Sequence, residues 1–335
     1  MRLGMNPQKQ ERKLTLTTNH RIVVVVYIPN EDGFYKDSYN VFKTCIDSLI
    51  ATTSATSLIT VVNNGSFDKV KNLLNQYLDE NKIDTLISHK TNIGKIDALM
   101  GAARGAREKL ITLSDSDILF VKGWQQKTVE IFNVFPNVGS VSPIPVRYGY
   151  LYGTVSVLKS ILLKKLQLKL TPIPDNFIPY NRYLESINWV ADTNENTEWA
   201  VVSYKNVKAI LGSGHQVLTV NRDVLFQTVP TNPSLTLVGG SSEYDYVDEP
   251  IDKAGKLRLA TYNNFAFHMG NKLEDWMINI QNNNYESTDD LLQNAKFIET
   301  STDLFHSSYK DKYYIFQKKL LKKIICLLRI DLKKK

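Results

Sequence analysis

The sequence is poor in cysteine and has no long apolar segment. Its 335 residues include two cysteines, Cys45 and Cys326, whose spacing offers neither a disulfide framework nor a zinc site built from cysteines. The most apolar early run, residues 22–28, is far too short to cross a bilayer, and residues 1–20 lack the apolar core of a signal peptide. We therefore expect a protein of a reducing compartment, the cytoplasm, without a membrane-spanning helix.

The body of the chain also lacks an excess of basic residues. The formal net charge is +7, but residues 310–335 alone carry nine lysines and Arg329 against Asp311 and Asp331. Proteins that bind nucleic acid usually spread basic residues over a folded face. Because the charge here is confined to one end of the chain, we do not expect a nucleic-acid partner.

Strand and helix patterns alternate over the first part of the chain. Residues 21–27 form a continuous β-branched run, typical of a strand buried on both faces of a parallel sheet. Residues 37–51 follow with apolar side chains at helical spacing, and the alternation continues to a strand at residues 110–113. This order predicts an α/β fold with a doubly wound, mostly parallel sheet.

The pattern is less regular beyond residue 140. We predict a basic and apolar helix over residues 155–168, then a loop through the prolines at 172, 174 and 179. A further helix is predicted over residues 242–254, ended by Gly255.

These patterns divide the chain into four parts. The predicted parts are a polar N-terminal tail (1–20), one folded domain (21–270), a peripheral connector (271–309) and a basic amphipathic helix (310–335).

Two carboxylates lie one residue apart directly after an apolar strand, in Asp115-Ser116-Asp117. Ligands of doubly wound sheets bind beyond the carboxyl ends of the strands. Two carboxylates at such an edge can approach one hard cation, and oxygen ligands suit Mg²⁺ or Mn²⁺. The alternative is a loop whose acids cap the next helix.

Five short motifs occur in the order and spacing of family 2 glycosyltransferases. They are Ile28-Pro29-Asn30, Val61-Val62-Asn63-Asn64-Gly65-Ser66, Asn92-Ile93-Gly94, Leu113-Ser114-Asp115-Ser116-Asp117 and Phe267-His268-Met269-Gly270. The chain thus resembles a GT-A enzyme over about residues 20–270. The resemblance implies a nucleotide-diphosphate-sugar donor, with a UDP-sugar as first choice, a Mn²⁺ or Mg²⁺ ion and inversion at the anomeric carbon.

The same resemblance assigns donor-binding roles. They fall to Pro29, Asn30, Asn63, Asn64, Gly65, Ser66, Asn92, Lys95 and Ser116. The family usually has an acid, which helps to read the base, where this chain has Asn63. An amide can still pair with a pyrimidine edge, but the turn at 63–66 is also an ordinary Asn-Gly turn.

The resemblance also implies metal and acceptor roles. It places His268 with Asp115 and Asp117 at the metal, and Gly214 and His215 on the acceptor side. A histidine buried in the core with its hydrogen bonds satisfied is the alternative for His268.

The catalytic base is expected where the family has a Glu-Asp pair, which this chain interrupts with Tyr244. Counting back from Gly255 favours Glu243, whereas side-chain type favours Asp245, with Asp248 third. The alternative is a helix N-terminus stabilised by acids.

The C-terminal segment is amphipathic at helical spacing. Its apolar face holds Tyr313, Phe316, Leu320, Leu321, Ile324, Leu327 and Leu328, and Lys318, Lys319, Lys322, Arg329 and Lys333 lie opposite. This arrangement is typical of a helix that lies on an anionic membrane, here on the cytoplasmic face. A helix docked on the domain, or paired with a partner helix, is the alternative.

Three functions are therefore compared. The favoured one is a peripheral membrane glycosyltransferase acting on a glycan or lipid-linked glycan, as in cell-surface polysaccharide synthesis. A nucleotidyltransferase would need a glycine-rich basic loop after the first strand, where this chain has Glu31 and Asp32. A noncatalytic sugar-nucleotide or membrane-binding module would not hydrolyse a sugar nucleotide.

Overall fold

The computed structural model describes residues 4–10, 14–147, 149, 153–286, 313–320 and 323. The α-helices of this part are α1 (Ser38–Thr52), α2 (Asp68–Asp79), α3 (Lys95–Gly105), α4 (Trp124–Val134), α5 (Val155–Leu162), α6 (Phe177–Ser186), α7 (Arg222–Thr228), α8 (Glu249–Lys253) and α9 (Asp275–Glu286). The strands are β1 (His20–Val26), β2 (Ser57–Asn64), β3 (Thr85–His89), β4 (Leu110–Ser114), β5 (Ile118–Phe120), β6 (Val138–Ser142), β7 (Gln167–Pro172), β8 (Glu198–Tyr204), β9 (Val207–Leu211), β10 (Val217–Asn221), β11 (Leu257–Thr261) and β12 (Ala266–His268).

Ten strands form one sheet in the order β3-β2-β1-β4-β10-β6-β11-β9-β8-β7. The first four are parallel, and β10 lies antiparallel between β4 and β6. Of the ten strands, β7, β9 and β10 run antiparallel to the other seven. The predicted α/β class with a mostly parallel sheet is therefore confirmed. β5 and β12 pair separately as a two-stranded antiparallel sheet.

Strand β1 shows why the sheet is covered on both faces. Its alternate residues Ile22 and Val24 pack in one core cluster with residues of α1 and α2. Val23 and Val25 point the other way, into a second cluster with residues of α3. A strand buried on both faces needs a continuous apolar run, which is the pattern at residues 21–27.

Two predictions beyond residue 140 are wrong. The helix predicted over 155–168 ends at Leu162, because Lys164 adopts a left-handed φ of 56° and the chain then continues as edge strand β7. The loop predicted through the prolines contains α6, since Pro179 lies in its first turn, where a missing N–H breaks no helical hydrogen bond.

The remaining C-terminal predictions meet the structure in part. The helix predicted over 242–254 forms as a π-helical turn (Tyr244–Asp248) followed by α8. Within the predicted connector, α9 packs against α1, and residues 287–309 lie outside the described residues. Residues 313–320 of the predicted amphipathic helix are helical, whereas Leu321, Lys322, Ile324, Leu327, Leu328, Arg329 and Lys333 are not among the described residues. No helix in the described ranges is both long and apolar enough to span a bilayer.

Candidate metal and donor site

The Asp115-Ser116-Asp117 turn follows β4 at the carboxyl edge of the parallel strands. The β5–β12 pairing brings His268 opposite Ile118, and the backbone N–H of Met269 donates to the carbonyl of Asp117 at 2.8 Å. Asp115, Asp117 and His268 each offer one ligand atom within 4.8 Å of the others. The structure therefore brings together the three side chains that the sequence suggested as metal ligands.

The chemistry of this cluster fits a divalent cation. The Oγ of Ser186 lies 2.8 Å from Nδ1 of His268, which leaves Nε2 facing Asp117 Oδ2 at 3.3 Å. Oδ1 of Asp117 is buried and has no hydrogen-bond partner among the described residues. Burial raises the pKa of Asp117, and His268 opposes that rise. Two carboxylates and an imidazole are suitable donors for Mn²⁺, and an outer-shell contact like that of Ser186 commonly orients a histidine ligand.

Lys95, the first residue of α3, lies between two acids. Its Nζ is 2.7 Å from Oδ1 of Asp115 and 3.6 Å from Oε1 of Glu243. Burial alone would lower the pKa of Lys95, but these carboxylates outweigh it and the pKa is raised. Conversely, burial would raise the pKa of Glu243, but Lys95 lowers it. Both groups are therefore charged at neutral pH, and Glu243 lies at the same site as the Asp115 carboxylate.

Hydrogen bonds lock the two asparagine turns together. Asn64 donates to Oδ1 of Asn92 at 2.8 Å and accepts from the N–H of Ile93 at 3.1 Å. Gly65 has a φ of 88°, and a Cβ there would lie 2.8 Å from the Asn92 nitrogen. The side chains of Asn64 and Asn92 thus hold the backbone of the turns in place, a structural role beside the predicted donor contact.

The rest of the first asparagine turn is tied to the end of β1. Oδ1 of Asn63 accepts from the N–H of Ser66 at 2.9 Å, and Ser66 Oγ accepts from the N–H of Ile28 at 3.0 Å. Nδ2 of Asn63 is buried and has no partner in the described part of the chain. Asn63 is fully buried, whereas Pro29 is partly buried and Asn30 is exposed.

The start of α3 is fixed by the loop that precedes the acid-bearing segment. The N–H of Lys95 donates to the carbonyl of Leu237 at 2.9 Å. Gly94 has a φ of 97°, and a Cβ at this residue would lie 2.3 Å from the carbonyl oxygen of Thr236. Only glycine tolerates both the positive φ and the close approach of Thr236. Gly94 therefore allows the loop at residues 236–237 to contact the start of α3 and to position Lys95.

A buried charged network, which the sequence did not predict, supports His215. Nδ1 of His215 lies 3.0 Å from Oδ2 of Asp248, and Asp248 also pairs with the fully buried Arg258 of β11 at 2.5 Å. Arg258 donates as well to the carbonyls of Ser213 and Gly153. Burial would lower the pKa of His215, but the bond to Asp248 raises it. The sequence contains one signal for this network, which is Arg258 within an otherwise apolar strand. A charge buried in such a strand needs polar or charged partners.

The three candidate bases have different surroundings. The Glu243 side chain is 12% exposed and faces Lys95, whereas Asp245 is exposed. Asp248, the third candidate, is occupied by Arg258 and His215. Ser116 is partly buried between the two aspartates, and Gly214 lies next to His215 in the loop between β9 and β10.

Comparison with known families identifies the domain. Residues 24–184, which hold both asparagine turns, Lys95 and the two aspartates, match the family model of glycosyl transferase family 2. The chain carries a family 2 glycosyltransferase domain. The resemblance inferred from the motifs is confirmed by this match.

Solved structures with related folds show only distant similarity. They are the mannosyltransferase PcManGT from Pyrobaculum calidifontis in complex with GDP-Man and Mn²⁺ (15% identity, 73% of this chain and 55% of that chain, TM-score 0.40), S. aureus TarS 1-349 (11%, 75% and 60%, 0.42) and GalNAc-T7 with UDP, GalNAc and Mn²⁺ (14%, 80% and 47%, 0.44). The chain spans between 47% and 60% of the length of these proteins. Such similarity carries no argument about substrate. A search of curated proteins finds no match.

Proposed function

We propose that this protein transfers a sugar from a nucleotide-diphosphate-sugar to an acceptor hydroxyl, with inversion and with a divalent cation. The observation that carries the proposal is the cluster of Asp115, Asp117 and His268, placed beside Lys95 and Glu243 at the carboxyl edge of the sheet. This edge is where doubly wound sheets bind ligands. The family of the domain supports the same function.

The binding roles follow from charge and position. A Mn²⁺ or Mg²⁺ ion, held by the two aspartates and His268, would stabilise the negative charge of the leaving diphosphate. Lys95 adds a fixed positive charge toward the same group. The two asparagine turns, with Asn63 and the exposed Asn30, would flank the nucleoside, and a UDP-sugar is the first donor to test.

The chemical step needs a base on the acceptor side. Glu243 is the residue we assign, because its carboxylate is ionised and lies in the site, whereas Asp245 is exposed. The acceptor oxygen forms a bond to the anomeric carbon as the bond from that carbon to the diphosphate oxygen breaks. The nucleoside diphosphate leaves with the electron pair, and Glu243 takes the acceptor proton. His215, positioned by Asp248, would face the acceptor.

The acceptor is proposed to be a glycan or lipid-linked glycan at the cytoplasmic surface of a membrane. The support for this location is the basic C-terminal segment, residues 310–335, with its apolar face. A lipid-linked acceptor would be presented at the same surface.

A thermal-shift screen tests donor binding. A ligand that binds the native state at about 100 times its Kd stabilises it by about 2.7 kcal/mol. We expect a nucleoside diphosphate to raise the melting temperature strongly only when Mn²⁺ is present, and the responding nucleotide identifies the base. No shift with any nucleotide diphosphate and cation would refute the proposal.

Product analysis then separates the enzyme classes. Incubation of the responding sugar nucleotide with Mn²⁺ should release the nucleoside diphosphate and the free sugar, with water as the acceptor. A nucleotidyltransferase would instead form or consume pyrophosphate, and a noncatalytic module would leave the sugar nucleotide intact.

A further inference from the structure

The helical segment 313–320 is docked on the domain by one side only. Tyr314 is buried, and its hydroxyl donates to Oδ2 of Asp252 at 2.9 Å. Lys318 donates to the hydroxyl of Tyr244 at 2.6 Å. The other sides expose four large apolar side chains, those of Tyr313, Ile315, Phe316 and Leu320. Docking therefore accounts for Tyr314 and Lys318 and leaves these apolar side chains exposed.

A second element with the same character lies at the end of α5. Leu162 and Leu163 are 53% and 57% exposed. Residues 155–172 contain four lysines, at 159, 164, 165 and 169, and no acidic residue. A single exposed leucine is ordinary. Adjacent exposed leucines within an acid-free, lysine-rich stretch are instead typical of a surface that meets lipid headgroups.

The two elements adjoin. Val155 of α5 and Tyr314 pack in one buried cluster, with Leu158 against it. A cavity of about 380 Å³ between the elements is lined on one side by Lys159, Leu163 and Lys165 and on the other by Tyr313 and Gln317. Lys159, Leu163 and Lys165 of the first element therefore lie beside Tyr313 of the second on one continuous surface.

We propose that residues 159–170 and 313–320 together form a membrane-binding surface, named here the basic face, whose partner is a bilayer that contains anionic lipid. Charge complementarity supports this partner, because residues 159–170 carry four lysines and residues 313–320 carry two, with no acidic residue in either stretch. The exposed leucines and aromatic side chains between the lysines can enter the boundary between headgroups and acyl chains. The basic face thus extends membrane binding beyond the C-terminal segment to a part of the folded domain.

The neighbouring acids do not oppose an anionic surface. The Asp252 carboxylate accepts hydrogen bonds from the N–H groups of Val155 and Ser156, from Ser156 Oγ and from Tyr314. Glu249 lies 2.9 Å from Lys253. The Asp252 carboxylate is thus buried and hydrogen-bonded within the protein, and Lys253 offsets the charge of Glu249.

The basic face also adjoins the segment that carries the assigned base. Tyr244, which contacts Lys318, directly follows Glu243. Membrane binding by the basic face does not depend on the proposed function.

Vesicle partition of the full chain, without donor or acceptor, tests the basic face. The probes are vesicles of phosphatidylglycerol mixed with phosphatidylcholine, and of phosphatidylcholine alone, at low salt. At about 1 kcal/mol, or fivefold, per lysine, the double variant Lys159→Gln, Lys165→Gln should bind the anionic vesicles roughly 25-fold more weakly. Leu162→Gln with Leu163→Gln should weaken binding at least about tenfold. Both variants keep residues 310–335, so neither removes the basic C-terminal segment.

The control changes the same number of lysines elsewhere. Lys71 and Lys90 are exposed on the side of the sheet that ends in β3, whereas β7 lies at the opposite edge. Lys71→Gln with Lys90→Gln should bind within about twofold of the unchanged chain. Binding by all variants equal to the unchanged chain, or no preference of the unchanged chain for anionic vesicles, would overturn the proposal.

The alternative partner for the basic face is a second copy of this chain. If the unchanged chain forms a dimer without vesicles, and the two leucine substitutions abolish that dimer, the surface pairs two copies of this chain and the proposal is wrong. Because no sugar nucleotide is present, none of these outcomes depends on glycosyl transfer.

Discussion

Replacing Glu243 with glutamine should slow the reaction while preserving nucleotide affinity. The Glu243 side chain is 12% exposed, 3.6 Å from the Lys95 ammonium. Burial alone would raise the pKa of Glu243, but Lys95 lowers it, so the carboxylate is ionised at neutral pH and can accept a proton. Loss of a general base costs typically 10² to 10⁴ in rate, or about 3–5 kcal/mol of activation free energy.

The same substitution should not weaken donor binding. Glutamine has nearly the shape of glutamate, so packing around Ser242 and Lys95 is kept. Removal of one negative charge beside Lys95 makes the site more positive, so affinity for a diphosphate should stay equal or increase. Rate and affinity therefore move independently, which a general loss of folding would not produce.

The assay measures both quantities on the same variants. Mn²⁺-dependent hydrolysis of the sugar nucleotide gives the rate, with water in place of the acceptor, and calorimetry gives the nucleotide Kd. Asp245→Asn is the matched control, because Asp245 lies two residues further along the same segment and is exposed; its rate should change less than about twofold. A rate for Glu243→Gln within tenfold of the unchanged enzyme would refute the assignment. If only Asp245→Asn loses rate and keeps affinity, Asp245 is the base.

Three further predictions concern contacts that stabilise the fold. Arg21 donates two hydrogen bonds to the fully buried Glu108. Arg21→Met should therefore lower the free energy of unfolding, measured with urea, by about 3–5 kcal/mol. A loss below about 1 kcal/mol would contradict this prediction. Burial would raise the pKa of Glu108, but Arg21 lowers it from 4.5 to about 2. The stabilisation by this ion pair is therefore complete above about pH 4.5 and is lost as the pH falls toward 2. Acid unfolding of the unchanged chain and of Arg21→Met measures this difference. Gly94→Ala should lower the free energy of unfolding by at least about 2 kcal/mol and weaken nucleotide binding. The control Gly101→Ala, in open space on α3, should raise the free energy of unfolding by about 0.5–1 kcal/mol. Equal effects of the two substitutions would contradict the role given to Gly94. Tyr314→Phe should lower the free energy of unfolding by about 1.5–3 kcal/mol, and an unchanged value would show that the C-terminal helix is not docked.

The N-terminal half of the fold could be predicted because its signals are local. The strands of the parallel half are short apolar runs, and the helices between them repeat apolar residues at regular spacing, as in α2 with Val70, Leu73, Leu74 and Tyr77. A parallel sheet also gathers its strand ends at one edge. Applied to the sequence alone, that rule predicts the place of Asp115 and Asp117.

The C-terminal half depends on contacts between distant residues. Pro179 predicts a break, and only its position in the first turn of α6 shows that it is tolerated. The network of His215, Asp248 and Arg258 joins residues from β11, a loop and a π-helical turn, and no local pattern links them. The proximity of Glu243 to Lys95 likewise arises because Gly94 admits the loop that precedes Glu243.

The central claim is that Asp115 and Asp117 hold a cation that binds the donor diphosphate. Calorimetric titration of nucleoside diphosphate into the protein, with and without Mn²⁺, tests it in the unchanged chain and in Asp117→Asn, with Asp79→Asn as an exposed control on α2. We predict that Asp117→Asn weakens the Mn²⁺-dependent affinity for the nucleoside diphosphate. The loss should exceed the roughly 10- to 100-fold that is typical when a residue outside the ligand shell is changed. The control should bind as the unchanged chain does. An unchanged Mn²⁺-dependent affinity in a folded Asp117→Asn protein would contradict the claim.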